Sequence, residues 1–269
     1  MEKANWQPTK AEYWKNLPAP ARPWPSEVAW FEQYALDKKA QGKLDVLILG
    51  STVEFRSMLH KNGMRVHVVD FSKKFYDILS EQPMAYKGEE IFYEQDWRTM
   101  DLGKQFDLIF GDWVPGVLHT DDYDAFFKCI LAHLQPDGLF IGRECLRPTR
   151  EIVNLEKVIQ EHYAKYAAKY SFYESSMQYV YAYRTDPVTA MSSIAAAKAA
   201  WEDVHEKGLL QKDDYDVFVK ALSVEKNEFS VMVQEDFDRA VAKYFTIAAK
   251  HYGKEPSAPW YPIYVLKKK

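Results

Sequence analysis

Residues 44–72 read LDVLILGSTVEFRSMLHKNGMRVHVVDFS, and this stretch decides the fold. Asp45-Val46-Leu47-Ile48-Leu49 reads as a buried strand ending at Gly50, because a short apolar run closed by glycine suits a strand covered on both faces. Glu54 to His60 reads as a helix stopped by Asn62-Gly63, and Arg65-Val66-His67-Val68-Val69 as a second strand ending at Asp70. Strand, helix and strand in succession imply a crossover unit with parallel strands. The pattern continues outward. Lys73 to Leu79 is helical, Ile91 to Glu94 and Phe106 to Phe110 are strands, and a helix runs from about Asp121 to Leu134. Gln135-Pro136-Asp137-Gly138 reads as a turn before a fifth strand, Leu139 to Leu146. Tyr244 to Ala248 and Tyr261 to Leu266 supply two more strands. The expectation is a doubly wound, mostly parallel α/β sheet of seven strands.

Two segments depart from this alternation. Residues 1–43 are rich in Trp and Pro, and prolines at 18, 20, 23 and 25 forbid a helix before Ser26, which is expected to cap one running to about Ala40. That stretch reads as an arm packed across a larger body. Residues 150–235 read mainly as helices, with Tyr163, Tyr166 and Tyr170 spaced to share one helical face. Such a stripe is more often packing than a ligand site. The expected organisation is an arm (1–43), a ligand-binding core (44–149 and 236–269) and a helical insertion (150–235) placed to cover the site as a lid.

Composition narrows the function. The 269 residues carry 35 Lys and Arg against 39 Asp and Glu, a formal charge of −4, which lacks the basic footprint of a nucleic-acid binder. Two cysteines are too few for a disulfide scaffold, and no His, Asp or Glu cluster has metal-ligand spacing, so no metal is expected. No signal core or 18-residue apolar run occurs, and a cytoplasmic protein without membrane contact is expected. Aromatic residues reach 15%, with 18 Tyr and 8 Trp, which hints at a pocket for a flat or cationic ligand, or at an interface.

Ligands of open α/β sheets bind beyond the carboxyl ends of the strands. The first strand ends in Gly50-Ser51-Thr52-Val53-Glu54, where small residues let the backbone approach a ligand. Asp70 follows Gly50 by twenty positions, a separation suited to binding a ribose diol. Asp96-Trp97 could bind an exocyclic amine and cover a purine face, and Gly111-Asp112-Trp113-Val114-Pro115-Gly116 frames a further loop. Together they describe an adenosine-containing ligand across the sheet edge. A dinucleotide wants several glycines around its pyrophosphate, whereas this loop has one, and Glu54 would repel phosphates. A sulfonium ligand with an ammonium group is favoured by a nearby carboxylate. S-adenosylmethionine fits better.

On these residues the chain resembles the class I S-adenosylmethionine-dependent methyltransferases over Leu44–Leu146 and Asp236–Leu266. Leu49-Gly50-Ser51-Thr52-Val53-Glu54 resembles a Leu-Gly-x-Thr-Pro-Glu first motif, with Val53 where proline is common. The resemblance implies a Rossmann-like methyltransferase fold. It also implies that Asp70 holds the ribose hydroxyls with Phe71 and Ser72 near the adenosine, and that Asp96 faces the adenine amine beside Trp97. Leu134-Gln135-Pro136-Asp137-Gly138-Leu139 resembles the family's turn before the fifth strand, and Trp260 to Leu266 resembles its antiparallel seventh strand. Tyr13 and Trp14 of the arm are candidates to close over the cofactor. Asp112 and His119 are the catalytic candidates, Asp112 either bonding the cofactor or positioning an acceptor amine. The implied activity is methyl transfer to an amine or hydroxyl of a small molecule. The rivals are a non-catalytic binding or sensor protein on the same fold and an aminopropyl transferase.

Overall fold

The structure, a computed structural model, describes residues 17–82, 85, 88–183, 185–222 and 228–269. A seven-stranded sheet is built from β1 (Asp45–Leu49), β2 (Arg65–Asp70), β3 (Ile91–Glu94), β4 (Phe106–Asp112), β5 (Leu134–Arg143), β8 (Phe245–His251) and β9 (Ile263–Lys268). Its order is β3-β2-β1-β4-β5-β9-β8. The first five strands pair in parallel, whereas β9 runs antiparallel to both β5 and β8. The chain moves outward from β1 to β3 and returns to β4 on the other side of β1. The reversal point therefore lies between the carboxyl ends of β1 and β4, where open sheets hold their ligands.

Alternation along β1 supplies both halves of the core. Val46 and Ile48 face α1 (Pro25–Ala40) and α2 (Val53–Lys61), packing with Phe31, Ala35, Phe55 and Leu59. Leu47 and Leu49 face α4 (Tyr123–His133), packing with Phe126, Phe127 and Ile130. Phe31 is fully buried, and its ring lies 4.2 Å from Phe55 and 5.0 Å from Phe110. Burying one such ring is worth about 1.5–3 kcal/mol, so α1 belongs to the core and is more than a covering strap.

Several expected boundaries shift for identifiable reasons. Helix α1 starts at Pro25, whose missing N–H costs nothing in the first turn. Glu27 then caps the Trp24 N–H at 2.7 Å, and the Ser26 hydroxyl instead donates to Glu255 at 2.6 Å. Strand β5 begins at Leu134 and passes through Gln135-Pro136-Asp137-Gly138 as a bulge, since Phe106 pairs with Leu134 and Leu108 with Leu139. Gly138 is required there, because a Cβ would meet Leu134 Cδ1 and the Phe106 carbonyl at 2.9 Å. The strand ends at Arg143, short of the expected Leu146. The last two strands also begin one or two residues late, at Phe245 and Ile263.

Residues 155–222 form α5 (Leu155–Glu161), α6 (Phe172–Ala182), α7 (Ile194–Glu206) and α8 (Lys212–Leu222). A short antiparallel pair, β6 (Met191–Ser193) with β7 (Glu228–Ser230), was not legible in the sequence because three-residue strands carry too little periodicity. Tyr163, Tyr166 and Tyr170 do not share one continuous helix. A π-helical turn, His162–Tyr166, interrupts it, and Tyr163 instead donates to Asp214 at 2.8 Å. Helix α9 (Gln234–Val241) leads back to the sheet.

Candidate functional site

At the reversal point lies a cavity of about 70 Å³, walled by residues from four strand ends, the arm and the insertion. Gly50, Ser51 and Thr52 form one wall. Gly50 has φ +84°, a left-handed conformation that glycine adopts without penalty, and it turns the chain from β1 towards α2. Its Cα faces Trp97, so that even a Cβ would sit 3.6 Å from the indole. Trp97 is buried, with Nε1 donating to the Val69 carbonyl at 2.9 Å, and it forms the cavity floor.

Asp70 stands at the end of β2, 4% exposed. Its Oδ2 accepts from the Ser51 hydroxyl at 2.7 Å and its Oδ1 from the Ser72 N–H at 3.1 Å. Burial pushes its carboxyl up to about 6, although those two donors and the Phe71 N–H bind the ionised form. Ser72 caps α3 (Lys73–Ser80), accepting from the Phe75 N–H at 3.2 Å, and Phe71 meets Trp97 edge-on at 5.8 Å. Neither lines the cavity; Phe75 and Leu79 do. Asp96 turns away, because Arg98 grips its carboxylate at both oxygens and also reaches Asp122 at 2.8 Å.

The far wall holds an ion network. Asp112, at the end of β4, accepts from Arg143 Nη1 at 2.8 Å, and Arg143 Nη2 donates to the Pro20 carbonyl at 2.8 Å. Arg143 Nε lies 2.7 Å from Glu27, with its N–H directed too far off-line for a hydrogen bond. The Arg143 guanidinium also sits 4.2 Å over the Tyr261 ring. Burial pushes the Glu27 carboxyl up to about 7 against the pull of Arg143, and raises Asp112 as well. Beside them, Glu144 is 2% exposed and its Oε2 has no hydrogen-bond partner. Burial, reinforced by the charge of Asp112, holds that carboxyl well above the usual range.

Trp113 follows with φ +52°, a strained conformation for a bulky residue. Its indole lies over Gly116, where a Cβ would come within 1.7 Å of Nε1, and it stacks on Phe229 at 4.9 Å and against Tyr181 at 4.7 Å. The insertion thus contributes Phe229 directly to the cavity wall.

Of the residues expected from the sequence, Gly50, Ser51, Thr52, Asp70, Trp97 and Asp112 converge on one cavity. Glu54 stands behind them, 2.6 Å from Arg22. His119 is exposed at the start of a 3₁₀ turn, 3.2 Å from Asp121, outside the cavity lining. Tyr13 and Trp14 lie outside the described residues. Sequence reasoning noted Trp113 only as part of the Gly111–Gly116 loop and missed Arg22, Glu27, Arg143 and Glu144. One signal was available: Arg143-Glu144 interrupts an otherwise apolar run, and charges in a central strand need a reason.

No protein-family model matches the sequence. A Rhodobacter sphaeroides structure named a Zn-dependent alcohol dehydrogenase superposes with a TM-score of 0.61 at 17% identity, over 99% of this chain and 98% of its own. An S-adenosylmethionine-dependent methyltransferase from Clostridium acetobutylicum gives 0.57 at 14% identity, over 97% and 98%. The CcbJ methyltransferase from Streptomyces caelestis gives 0.55 at 16%, over 96% and 95%. The fold is that of the Rossmann-like methyltransferases. Among the described residues, no group of three or more His, Cys, Asp or Glu side chains is placed to hold a metal ion, and no helix is long and apolar enough to cross a membrane.

Proposed function

We propose that the protein binds S-adenosylmethionine at the β1/β4 reversal point and transfers its methyl group to an amine or hydroxyl of a small molecule. The observation that carries this reading is Asp70, a buried carboxylate hydrogen-bonded to Ser51 of the one-glycine loop Gly50-Ser51-Thr52 in the lining of the cavity. A ribose diol would donate to Asp70, and the Trp97 indole that lines the same cavity offers an aromatic surface to a flat base. The dehydrogenase name of one structural neighbour supports a dinucleotide less well. A single glycine gives little cradle for a pyrophosphate, and the carboxylate of Asp112 lines the wall where phosphates would lie.

When bound, the cofactor supplies a methyl group on a positively charged sulfur, and the departing thioether takes the bonding electron pair. The chain's own part is positioning. Asp112, held by Arg143, orients groups at the reacting end, and an amine acceptor would shed its proton to solvent or to a nearby carboxylate. The insertion, through Phe229 and Tyr181 against Trp113, covers the acceptor side and keeps water out. A small acceptor, with no nucleic acid, suits an enclosed wall of this kind.

The test is calorimetric titration with S-adenosylmethionine, followed by incubation of the protein with a metabolite extract and deuteriomethyl-labelled cofactor. A labelled small product is expected. Absence of binding at millimolar cofactor would leave the sensor or cofactor-free reading standing, and label in RNA or protein alone would refute the small-molecule acceptor.

The protonation of Asp70 adds a pH signature. In the ligand-free protein its raised carboxyl is largely protonated below about 6, and only the ionised form accepts from both ribose hydroxyls. Cofactor affinity is therefore expected to rise by up to about tenfold per pH unit towards pH 6 and to level off above it. Asp70→Asn should remove this slope; a variant that keeps it would assign the titration elsewhere.

A further inference from the structure

Strand β7 carries a ring into the cavity wall. Phe229 is buried, stacks 4.9 Å from Trp113 with 18° between the ring planes, and meets Tyr181 of α6 edge-on at 5.1 Å. Its strand has three residues and pairs with β6 alone, an element too short to be stable by itself. Two polar groups beside that ring are unmatched. Ser192 lies directly opposite Phe229 in the β6–β7 ladder, so both side chains leave the pair on the same face. Ser192 is 1% exposed and Trp113 8%, yet among the described residues neither the Ser192 hydroxyl nor Trp113 Nε1 has a hydrogen-bond partner. A buried donor without an acceptor is costly, and Trp113 adds the cost of its left-handed backbone at φ +52°. Packing of apolar rings accounts for neither cost.

The lining around these two residues is otherwise apolar, with Val114 and Val117 beside Trp113 and Phe229. The two carboxylates of the lining are already engaged, Asp112 by Arg143 and Asp70 by Ser51 and Ser72. Such a wall favours a neutral, flat ligand over a free alkylammonium. The cavity as it stands is about 70 Å³, against the roughly 300–1,000 Å³ of small-molecule pockets, so a ligand must displace something to enter. Resting on the methyl-transfer reading above, we propose that the acceptor is a neutral aromatic or heteroaromatic molecule whose ring takes the place of Phe229 against Trp113, and whose oxygen or nitrogen lone pairs receive Trp113 Nε1 and the Ser192 hydroxyl. Phe229 is then a plug that fills the acceptor's place while none is bound. Gly116, without a Cβ, gives the indole its resting seat, from which it turns to donate. Each binding event must move Phe229 aside, so the apparent affinity is lowered by the small fraction of sites that stand open.

The experiment incubates the full-length protein with a metabolite extract and deuteriomethyl-labelled S-adenosylmethionine, and reads the labelled small product by mass and ultraviolet absorption. A product with an aromatic ring is expected, and a labelled aliphatic product overturns the proposal. The acceptor so identified is then used in steady-state kinetics with four variants. Phe229→Ala is expected to lower its KM by about threefold or more, because more sites stand open. Phe229→Leu, which keeps more of the packing, should lower it less and serves if the alanine variant is unstable. Ser192→Ala and Trp113→Phe should each raise KM by about fivefold, the scale of one hydrogen bond. A ring that only packs would behave in the opposite way, so a KM that is raised or unchanged in both Phe229 variants refutes the plug. An unchanged KM in both Ser192→Ala and Trp113→Phe removes the two polar contacts and with them the proposed pose. If the wild-type protein binds no cofactor or labels no small molecule, the methyl-transfer reading itself fails, an outcome separate from all the others.

Discussion

Arg143→Met is expected to destabilise the protein by about 3–5 kcal/mol, the scale of removing one partner from a buried ion network. Arg143 is 1% exposed and is the cation between Glu27, fully buried, and Asp112, 8% exposed at the side chain. Without it, Glu27 loses the cation beside it and Asp112 keeps only the attraction of Arg22. The Pro20 carbonyl also loses the donor that ties the arm to the sheet. Urea denaturation monitored by circular dichroism measures the effect. The physical cause is separable: Glu27→Gln combined with Arg143→Met should recover part of the loss, because one of the orphaned charges is then removed. A single variant within about 1 kcal/mol of the parent would show that the network is neutral to stability. The double variant sitting below the single one would point to lost packing over Tyr261 instead.

Asp70→Ala is expected to weaken S-adenosylmethionine binding by about 1.5–3 kcal/mol, roughly 10- to 150-fold, the scale of hydrogen bonds to a charged group. The structure adds a second route to the same loss. Asp70 also accepts from the Ser51 hydroxyl and the Ser72 N–H, so its removal loosens the loop after β1 and the cap of α3 together. Ser51→Ala separates the two routes. It should cost less than Asp70→Ala, since the carboxylate remains for the ribose while only the loop tether is lost. Calorimetry on both variants, with circular dichroism to confirm an intact fold, checks the order. An unchanged dissociation constant for Asp70→Ala would remove this residue from the cofactor site.

The sheet and the convergence of its strand ends on one cavity were legible in the sequence because local rules govern them. Apolar runs such as Val46 to Leu49 and Val66 to Val69 end at Gly50 and Asp70, and a strand buried on both faces needs such a run wherever it occurs. Parallel pairing then brings the ends of neighbouring strands together, so Gly50, Ser51, Asp70 and Asp112 had to meet once the strands were recognised. Asp96 shows the limit of that reasoning. It stands at a strand end, yet Arg98 two residues later claims its carboxylate, a contact that strand order does not anticipate.

What the tertiary structure alone decided is the charged wall and the arm. Arg22 meets Glu54 across 32 positions of chain, and Arg143 meets Glu27 and the Pro20 carbonyl across more than 100. Such pairs leave no periodic trace, because each residue satisfies its charge with a partner whose distance along the chain is set by folding and not by helix or strand geometry. The same holds for Trp113, whose left-handed backbone depends on Gly116 beneath it and on Phe229 and Tyr181 brought in by the insertion. Local periodicity therefore determined where the strand-end cavity lies. Long-range charge pairing and aromatic packing determined which side chains wall it.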